Sequence, residues 1–453
     1  MVRGRRRGLF DMHPSRMVAL AFGVAVLLGT VLLALPVSAA DGRSAGLGTA
    51  LFTATSATCV NGLVVVDTSS YWSGFGEGVI IALVQIGGLG IMTLASLLAL
   101  LIAGKLRLRM TLQAQAESRI GIGDLRVVLL RVALITVVVE LVTAVVLAAR
   151  FRFGYDEAWG TAVYHGAFHS VMAFNNAGFG LRADSLTAYA DDPWVLLPIA
   201  VAVTIGGIGF PVIVELLRHR SRRRATGRRG WSLHLKLTLV VSGALLAVGT
   251  VLTLALEWAN PGTFGPLDTA DKVLGAFFHS AMARTAGFNA TDTAAMEPAT
   301  LLMTCVLMFI GGGAAGTAGG IKVTTFAVLA VAMLAEVRGE PTSGVFRRTL
   351  APHVLRQALT VALAGVGMVM AATIALLTMV DARMEFVLFE VVSAFGTTGL
   401  STGVSYDLPP TAQVIMVGLM FVGRIGPITL VSALALRDRT RRYHLPEERP
   451  IIG

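Results

Sequence analysis

The sequence predicts an all-α polytopic membrane protein with four parallel helix–re-entrant pore loop–helix repeats around a central pore. Three observations predict this class. The 453-residue chain is 55% hydrophobic and only 14% charged, whereas a soluble domain carries about 25% charged residues. Apolar runs long enough to cross a bilayer recur along the chain. A short glycine-centred motif also occurs four times at nearly even intervals.

Eight long apolar runs predict the outer helices, two in each repeat. They cover residues 17–38, 75–103, 127–150, 193–218, 235–257, 300–336, 352–379 and 411–436. Between the members of each pair lies a run too short to cross the hydrocarbon core, which predicts a re-entrant helix. These runs cover residues 46–58, 159–174, 269–283 and 384–395. We therefore divide the chain into repeats at 1–104, 105–218, 219–337 and 338–453.

The basic residues predict the orientation in the membrane. They cluster at the termini and between the helix pairs, most densely in the arginine-rich segment 218–229, whereas acidic residues concentrate within the pairs. Positively charged segments stay on the cytoplasmic side, so both termini are expected there and the glycine loops enter from outside. This distribution assigns the net charge of +10 to membrane topology rather than to nucleic-acid binding.

A glycine-centred loop follows each re-entrant helix. The four copies read SATCVNGL (56–63), MAFNNAGF (172–179), MARTAGF (282–288) and SAFGTTGL (393–400). Non-helical backbone at membrane depth is tolerated where it is buried in protein or lines a water-filled path. Glycine permits backbone conformations closed to other residues, and the helix C-terminus before each loop favours a cation. A ring of such carbonyls can replace the hydration shell of a passing ion.

The loop residues are small or uncharged, so coordination is expected from backbone carbonyls, as suits a weakly hydrated monovalent cation. The predicted ion-binding residues are Val60, Asn61, Gly62, Asn176, Ala177, Gly178, Thr285, Ala286, Gly287, Thr397, Thr398 and Gly399. Arg284 stands beside the third loop and is expected to turn away from the axis, since a cation would be repelled by it. His165 and His169 are four apart on one helix, and a packing and hydrogen-bonding role is favoured over a metal pair.

The second outer helix of repeat three contains GGGAAGTAGG at 311–320. Each glycine is about 1 kcal/mol worse than alanine in a helix interior, which predicts an unwound gate loop inside the membrane. The predicted gate residues are Gly311, Gly312, Gly313, Gly316, Thr317, Gly319, Gly320, Lys322 and Arg424.

Arg424 occupies a position where the other three repeats have glycine. An arginine at membrane depth costs at least about 2.5–3.5 kcal/mol unless it finds partners. We hypothesise that Arg424 faces the pore and holds the 311–320 loop across it, with Lys322 adding positive charge. The alternatives are that Arg424 snorkels to the interface or pairs with Glu215 or Glu336.

The four loops, the segment GGGAAGTAGGIK and the sequence GRIGP around Arg424 resemble the Trk/Ktr/HKT superfamily of potassium transporters, most closely its bacterial Ktr membrane subunits. The resemblance covers nearly the whole chain. It implies that the four loop glycines form a K+ selectivity filter. Some plant members have serine at the first of them and pass Na+, so Gly62 implies K+ preference. It also implies that 311–320 is the gate loop and Arg424 the gate arginine.

The same resemblance implies a multi-pass subunit of the bacterial plasma membrane that forms a homodimer and is regulated by a cytoplasmic nucleotide-binding RCK-type ring subunit (KtrA-like). No organic cofactor is expected in this chain, and Na+ often activates Ktr systems. The sequence has no paired carboxylates or nucleophile–base motif at membrane depth, so an enzyme is not expected. A coupled K+/Na+ or K+/H+ secondary transporter is the alternative to a channel-like subunit, and Glu140, Lys322 and Arg424 are its candidate ionisable residues.

Overall fold

The computed structural model describes residues 14–90, 122–222 and 231–435 as a bundle of helices. The first repeat contains α1 (Pro14–Leu33), α2 (Leu47–Thr58), α3 (Thr68–Tyr71) and α4 (Gly74–Gly90). The second contains α5 (Ile122–Gly154), α6 (Trp159–Asn175), α7 (Pro193–Ile208) and α8 (Phe210–Arg222). The third contains α9 (Leu233–Glu257), α10 (Thr269–Met282), α11 (Pro298–Phe309) and α12 (Val323–Val337). The fourth contains α13 (Pro352–Leu377), α14 (Met384–Gly396) and α15 (Pro410–Ala435).

Outside the α-helices, the described residues contain two short strands and a few turns of 3₁₀-helix. Strands β1 (Gly344–Val345) and β2 (Arg348–Thr349) form an antiparallel hairpin between α12 and α13. Single turns of 3₁₀-helix cover Pro36–Ser38, Thr187–Tyr189, Thr293–Ala295 and Val404–Asp407.

The long helices form an apolar outer surface. Three stretches of the described chain are long and apolar enough to cross a membrane alone: Leu130–Gly154, Leu233–Glu257 and Pro352–Leu377. A fourth span is possible by the same criteria if the bent pair α7 and α8 is counted as one. Large apolar side chains on this surface are exposed, among them Leu134, Val251 and Leu363 at 63%, 64% and 63%. This surface suits lipid rather than water, and the chain is a multi-pass, all-α membrane protein.

The short helices form the interior. Helix α2 buries eight of its 12 residues, whereas α9 buries seven of 25. Each re-entrant helix packs on the first outer helix of its own repeat, and contacts of α2 with α15, α7 with α10, and α11 with α14 join neighbouring repeats. The Asn175 side chain of α6 donates to the Gln85 side chain of α4 at 2.7 Å, which joins repeats one and two, so the four repeats surround one axis.

The prediction of one continuous helix over 193–218 is wrong. Helix α7 ends at Ile208, and α8 begins at Phe210 after a bend of 97°. Gly209 adopts φ +100°, and a Cβ there would collide with the carbonyl oxygen of Ala314. At the bend, the Phe210 amide donates to the Ala315 carbonyl at 3.3 Å. The bend therefore makes room for the loop of repeat three.

The predicted helix over 300–336 is interrupted, as its glycine content predicts. Residues 310–322 separate α11 from α12 and contain no helix. The part of the predicted helix 75–103 beyond residue 90 and the basic linkers at 105–121 and 223–230 lie outside the described residues. The expected repeat boundary after 218 falls within α8 rather than at a helix end.

Candidate functional site

The four loop glycines lie against one another in a ring. A Cβ added to Gly62 would lie 2.5 Å from the Gly178 amide nitrogen, and one added to Gly178 would lie 2.6 Å from the Gly287 Cα. A Cβ on Gly287 would lie 3.0 Å from the Gly399 Cα, and one on Gly399 would lie 3.1 Å from the Gly62 Cα. The sequence spacing placed these residues in equivalent positions, and the fold brings them together around one axis.

After each re-entrant helix, a residue with left-handed backbone lies two positions before the glycine. The φ values are +55° at Val60, +60° at Asn176, +70° at Thr285 and +48° at Thr397. A non-glycine residue in this region costs roughly 1–3 kcal/mol and persists only where the surrounding structure fixes it. The four loops thus share a left-handed residue at this position, which sequence analysis did not identify.

The glycines are required for two different reasons. Gly62, Gly287 and Gly399 have φ of +100°, +78° and +93°, which favours glycine. Gly178 does not have positive φ, and its lack of a side chain is required by the close approach of Gly287. The expectation that every loop glycine serves a special backbone conformation is therefore wrong at Gly178.

The loop amides turn back toward their own helices. The Asn61 amide donates to the Ser56 carbonyl at 2.8 Å, and the Thr398 amide donates to the Ser393 carbonyl at 2.9 Å. The Ala177 amide donates in the same way to the Met172 carbonyl at 2.8 Å, and the Ala286 amide donates to the Met282 carbonyl, four residues before it, at 3.0 Å. Within the described part of the chain, the carbonyls of the twelve predicted ion-binding residues accept no hydrogen bond. Backbone carbonyls left without N–H partners in a buried place are suited to coordinate a cation.

Two serines that sequence analysis missed hold the first and fourth loops. The Ser56 hydroxyl accepts from the Gly62 amide at 3.1 Å, and the Ser393 hydroxyl accepts from the Gly399 amide at 3.1 Å. Both serines stand six residues before the glycine, which was a usable sequence signal. The first loop is also tied to the fourth repeat, because the Asn61 side-chain amide donates to the Ala394 carbonyl at 3.3 Å.

The interrupted segment 310–322 lies against α7 and the second loop. The Gly313 amide donates to the Gly207 carbonyl at 2.8 Å, and the Thr317 amide donates to the Gly206 carbonyl at 3.1 Å. These bonds satisfy backbone groups that a helix would otherwise pair internally. The segment is therefore docked at the α7–α8 bend, directly beside the ring of glycines.

Arg424 contacts this segment rather than an acidic residue. The side chain is 2% exposed, and its Nη1 donates to the Thr317 carbonyl. Its Nε and Nη2 have no hydrogen-bond partner among the described residues. Glu215, one of the alternative partners, instead accepts from the Ser232 hydroxyl at 2.6 Å. Lys322 donates to the Ala318 carbonyl at 2.6 Å, so two cationic side chains hold successive carbonyls of one loop.

The remaining candidates serve the packing of the helices. The Arg284 guanidinium donates to the Ser242 carbonyl and hydroxyl of α9, both at 3.0 Å, and thus points away from the ring as expected. The His169 Nδ1 lies 2.8 Å from the His165 carbonyl. In residues 14–90, 122–222 and 231–435, no group of three His, Cys, Asp or Glu side chains could hold a metal ion.

Four re-entrant loops meeting at one axis define a multi-pass membrane protein with a central ion path. Residues 12–440 match the model of the TrkH family of cation transport proteins. The chain is 38% identical to the Ktr system potassium uptake protein B of Bacillus subtilis over 95% of each chain. It is 38% identical to the protein of that name from Vibrio alginolyticus over 97% of this chain and 94% of the other. It is 32% identical to the potassium/sodium uptake protein NtpJ of Enterococcus hirae over 98% of each.

A solved structure has the same fold. The potassium transporter TrkH from Vibrio parahaemolyticus superimposes with a TM-score of 0.71, covering 94% of this chain and 86% of that one at 18% identity. This chain belongs to the TrkH family of cation transport proteins, which confirms the resemblance found in the sequence.

Proposed function

We propose that the chain is the potassium-selective, ion-translocating membrane subunit of a K+ uptake system, and that it works as a gated, channel-like pore. The ring formed by Gly62, Gly178, Gly287 and Gly399 carries this proposal. Relatives that match almost the full chain are named potassium uptake proteins, which supports K+ as the transported ion. The fixed carbonyls of the four loops replace water around the ion, and no side-chain charge of the loops competes with it.

In this proposal the twelve loop residues bind K+, and residues 311–322 with Arg424 form the gate. The bond from Arg424 supports the gate role, because it ties the segment to α15. The Lys322 bond lies within the segment and stabilises its turn. The Arg424 Nε and Nη2 groups have no partner among the described residues, so the tie to α15 rests on one hydrogen bond, and breaking it would let the segment move.

We further propose the assembly and orientation of the subunit. We propose a homodimer regulated by a cytoplasmic RCK-type ring subunit; the relatives' name "Ktr system" supports a partner subunit in general. Na+ activation has support from the potassium/sodium name of the Enterococcus relative. Positively charged termini and linkers support cytoplasmic termini in a bacterial plasma membrane, with repeats at 1–104, 105–218, 219–337 and 338–453.

The direct test is uptake of K+ and of Na+ into proteoliposomes that contain the purified chain, with Gly62→Ser beside it. We expect K+-selective flux in the unmodified chain and loss of the preference in the variant, because a Cβ at Gly62 would collide with Gly178. Gly243→Ser is the matched control, since no atom lies within 4 Å of a Cβ there. Equal K+ and Na+ flux in the unmodified chain would contradict the proposed selectivity.

A coupled secondary transporter remains the second candidate because a carboxylate lies behind the second loop. Glu140 accepts from the Asn175 side chain at 3.1 Å and from the Gln85 side chain at 3.3 Å. Ionisable residues within membrane segments often serve proton or ion coupling. K+ accumulation driven by an imposed Na+ or H+ gradient, with the membrane potential clamped at zero, would favour this candidate. Flux that follows the K+ electrochemical gradient alone would favour the channel-like subunit.

A further inference from the structure

A hydrogen bond joins the gate segment to the second ion-binding loop. The Thr317 hydroxyl donates to the Asn176 side-chain oxygen at 2.7 Å and also lies 3.2 Å from the Phe174 carbonyl. Thr317 is fully buried and Asn176 is 1% exposed. A buried polar group left without a partner destabilises the folded state, so this bond stabilises the contact between the gate segment and the second loop.

Asn176 is the residue whose backbone starts the second loop. It caps α6 in the left-handed conformation, with φ 60° and ψ 46°, two positions before Gly178. Asparagine tolerates this conformation best when its side chain forms hydrogen bonds. Here the Nδ2 group has no partner among the described residues, so the bond from Thr317 orients the amide. The backbone that presents the second loop is therefore supported by a residue of the gate segment.

The same threonine is bound from three sides. Its carbonyl accepts from Arg424, and its amide donates to the Gly206 carbonyl at 3.1 Å. Gly206 leaves room for this contact, because a Cβ there would lie 2.9 Å from the Thr317 hydroxyl and 3.0 Å from the Asn176 oxygen. Movement of Thr317 away from Arg424 would therefore also withdraw its hydroxyl from Asn176.

The other loops lack this connection. At the corresponding positions, the hydroxyls of Thr285 and Thr397 have no hydrogen-bond partner among the described residues, and Val60 has no polar side chain. Gly319 of the segment lies next to the Thr397 hydroxyl, which is a packing contact. The gate segment thus reaches the ring of glycines through a hydrogen bond at the second loop.

We propose that the Thr317–Asn176 hydrogen bond couples the position of the gate segment to the geometry of the second loop, so that K+ over Na+ selectivity depends on the state of the gate. The inference rests on the proposed function and adds its regulation. Thr317 and Asn176 act as positioning residues through their side chains, in addition to any carbonyl contact with the ion. Loss of the bond lets the loop carbonyls shift and weakens discrimination between the two ions.

The test compares Thr317→Val, Thr317→Ser and Thr238→Val in planar bilayers, by the reversal potential between K+ and Na+ solutions. Thr317→Val keeps the shape but removes the hydroxyl, and Thr317→Ser retains the hydroxyl. Thr238→Val is the matched control: Thr238 is buried on α9, its Cγ2 lies against Gly313 of the segment, and its hydroxyl has no partner among the described residues.

The K+/Na+ permeability ratio should fall roughly three- to tenfold in Thr317→Val, the size expected for one lost buried hydrogen bond. It should stay near the unmodified value in Thr317→Ser and Thr238→Val. Asn176→Ala should lower the ratio as well, and Asn176→Ala combined with Thr317→Val should add little, because both changes remove the same bond. The double variant also separates the loss of this bond from general misfolding.

An unchanged ratio in Thr317→Val, in a chain whose unmodified form selects K+, overturns the coupling and leaves the pore in place. Additive losses in the double variant overturn it too. If the unmodified chain itself does not distinguish K+ from Na+, the proposed function fails, and the coupling fails with it.

Discussion

The four loops are near copies of one another, whereas the second halves of repeats two, three and four differ within the described residues. Every loop has a left-handed residue two positions before its glycine. In contrast, α15 runs unbroken from Pro410 to Ala435, α7 bends at Gly209, and repeat three is unwound over 310–322. In the proposed function, symmetry is kept where the loops surround one ion and is lost where the gate segment lies.

The largest effect is expected in the symmetric region. Gly178→Ala places a Cβ about 2.6 Å from the Gly287 Cα, a contact that backbone would have to move to relieve. Overpacking of this kind costs typically 1–3 kcal/mol, and K+ uptake by proteoliposomes should fall roughly 10- to 100-fold or more. Gly243→Ala, which meets no atom within 4 Å, is the control. Near-normal K+ uptake in Gly178→Ala would contradict this account, because the ring would then not require glycine at that position.

The next effect is expected in the asymmetric region and has the opposite sign. Arg424→Ala removes the charged donor that holds the Thr317 carbonyl. A hydrogen bond to a charged group contributes about 1.5–3 kcal/mol, so K+ flux without the ring subunit should rise on the order of tenfold to a hundredfold. Arg182→Ala, at an exposed ion pair with Asp184, should not change the flux. A K+ flux in Arg424→Ala equal to that of the unmodified chain would remove Arg424 from the gate.

The smallest effect is expected on removal of the serine hydroxyls that hold the first and fourth loops. Ser56→Ala and Ser393→Ala each remove one hydroxyl that accepts from a loop glycine amide. Each change should weaken K+ affinity roughly two- to tenfold, the size of one hydrogen bond, and by the same factor in both. Ser170→Ala is the control, because that hydroxyl donates to the Glu140 carbonyl and not to a loop amide. Competition of K+ with a K+-selective dye for the purified chain measures the affinities; unequal losses would show that the two loops contribute differently.

Hydropathy and glycine spacing were sufficient to predict the helices and loops because both are local. The re-entrant helices begin and end within a few residues of their predicted bounds. The bend at Gly209 could not be predicted, because IGGIGF reads as a stripe of small residues inside one apolar helix. Its cause is the long-range contact with Ala314 and Ala315, which no local pattern contains.

The candidate site was predictable in part for the same reason. The fourfold loop repeat identified the glycines, and the free-energy cost of an arginine at membrane depth pointed to Arg424. The left-handed backbone at Val60 contradicts the preference of a β-branched residue and is fixed by packing that the sequence does not display. The bond between Thr317 and Asn176 joins segments 141 residues apart, and no local sequence pattern shows that the two segments meet.

The central claim is that an ion sits at the ring of Gly62, Gly178, Gly287 and Gly399. The measurement that tests it most directly is a crystal structure of the protein grown in Rb+, which replaces K+ chemically and scatters anomalously. The account predicts an anomalous peak on the axis between the four loops, lost in Gly178→Ala. A protein that transports K+ but shows no peak at the ring, with Rb+ bound elsewhere, would contradict it.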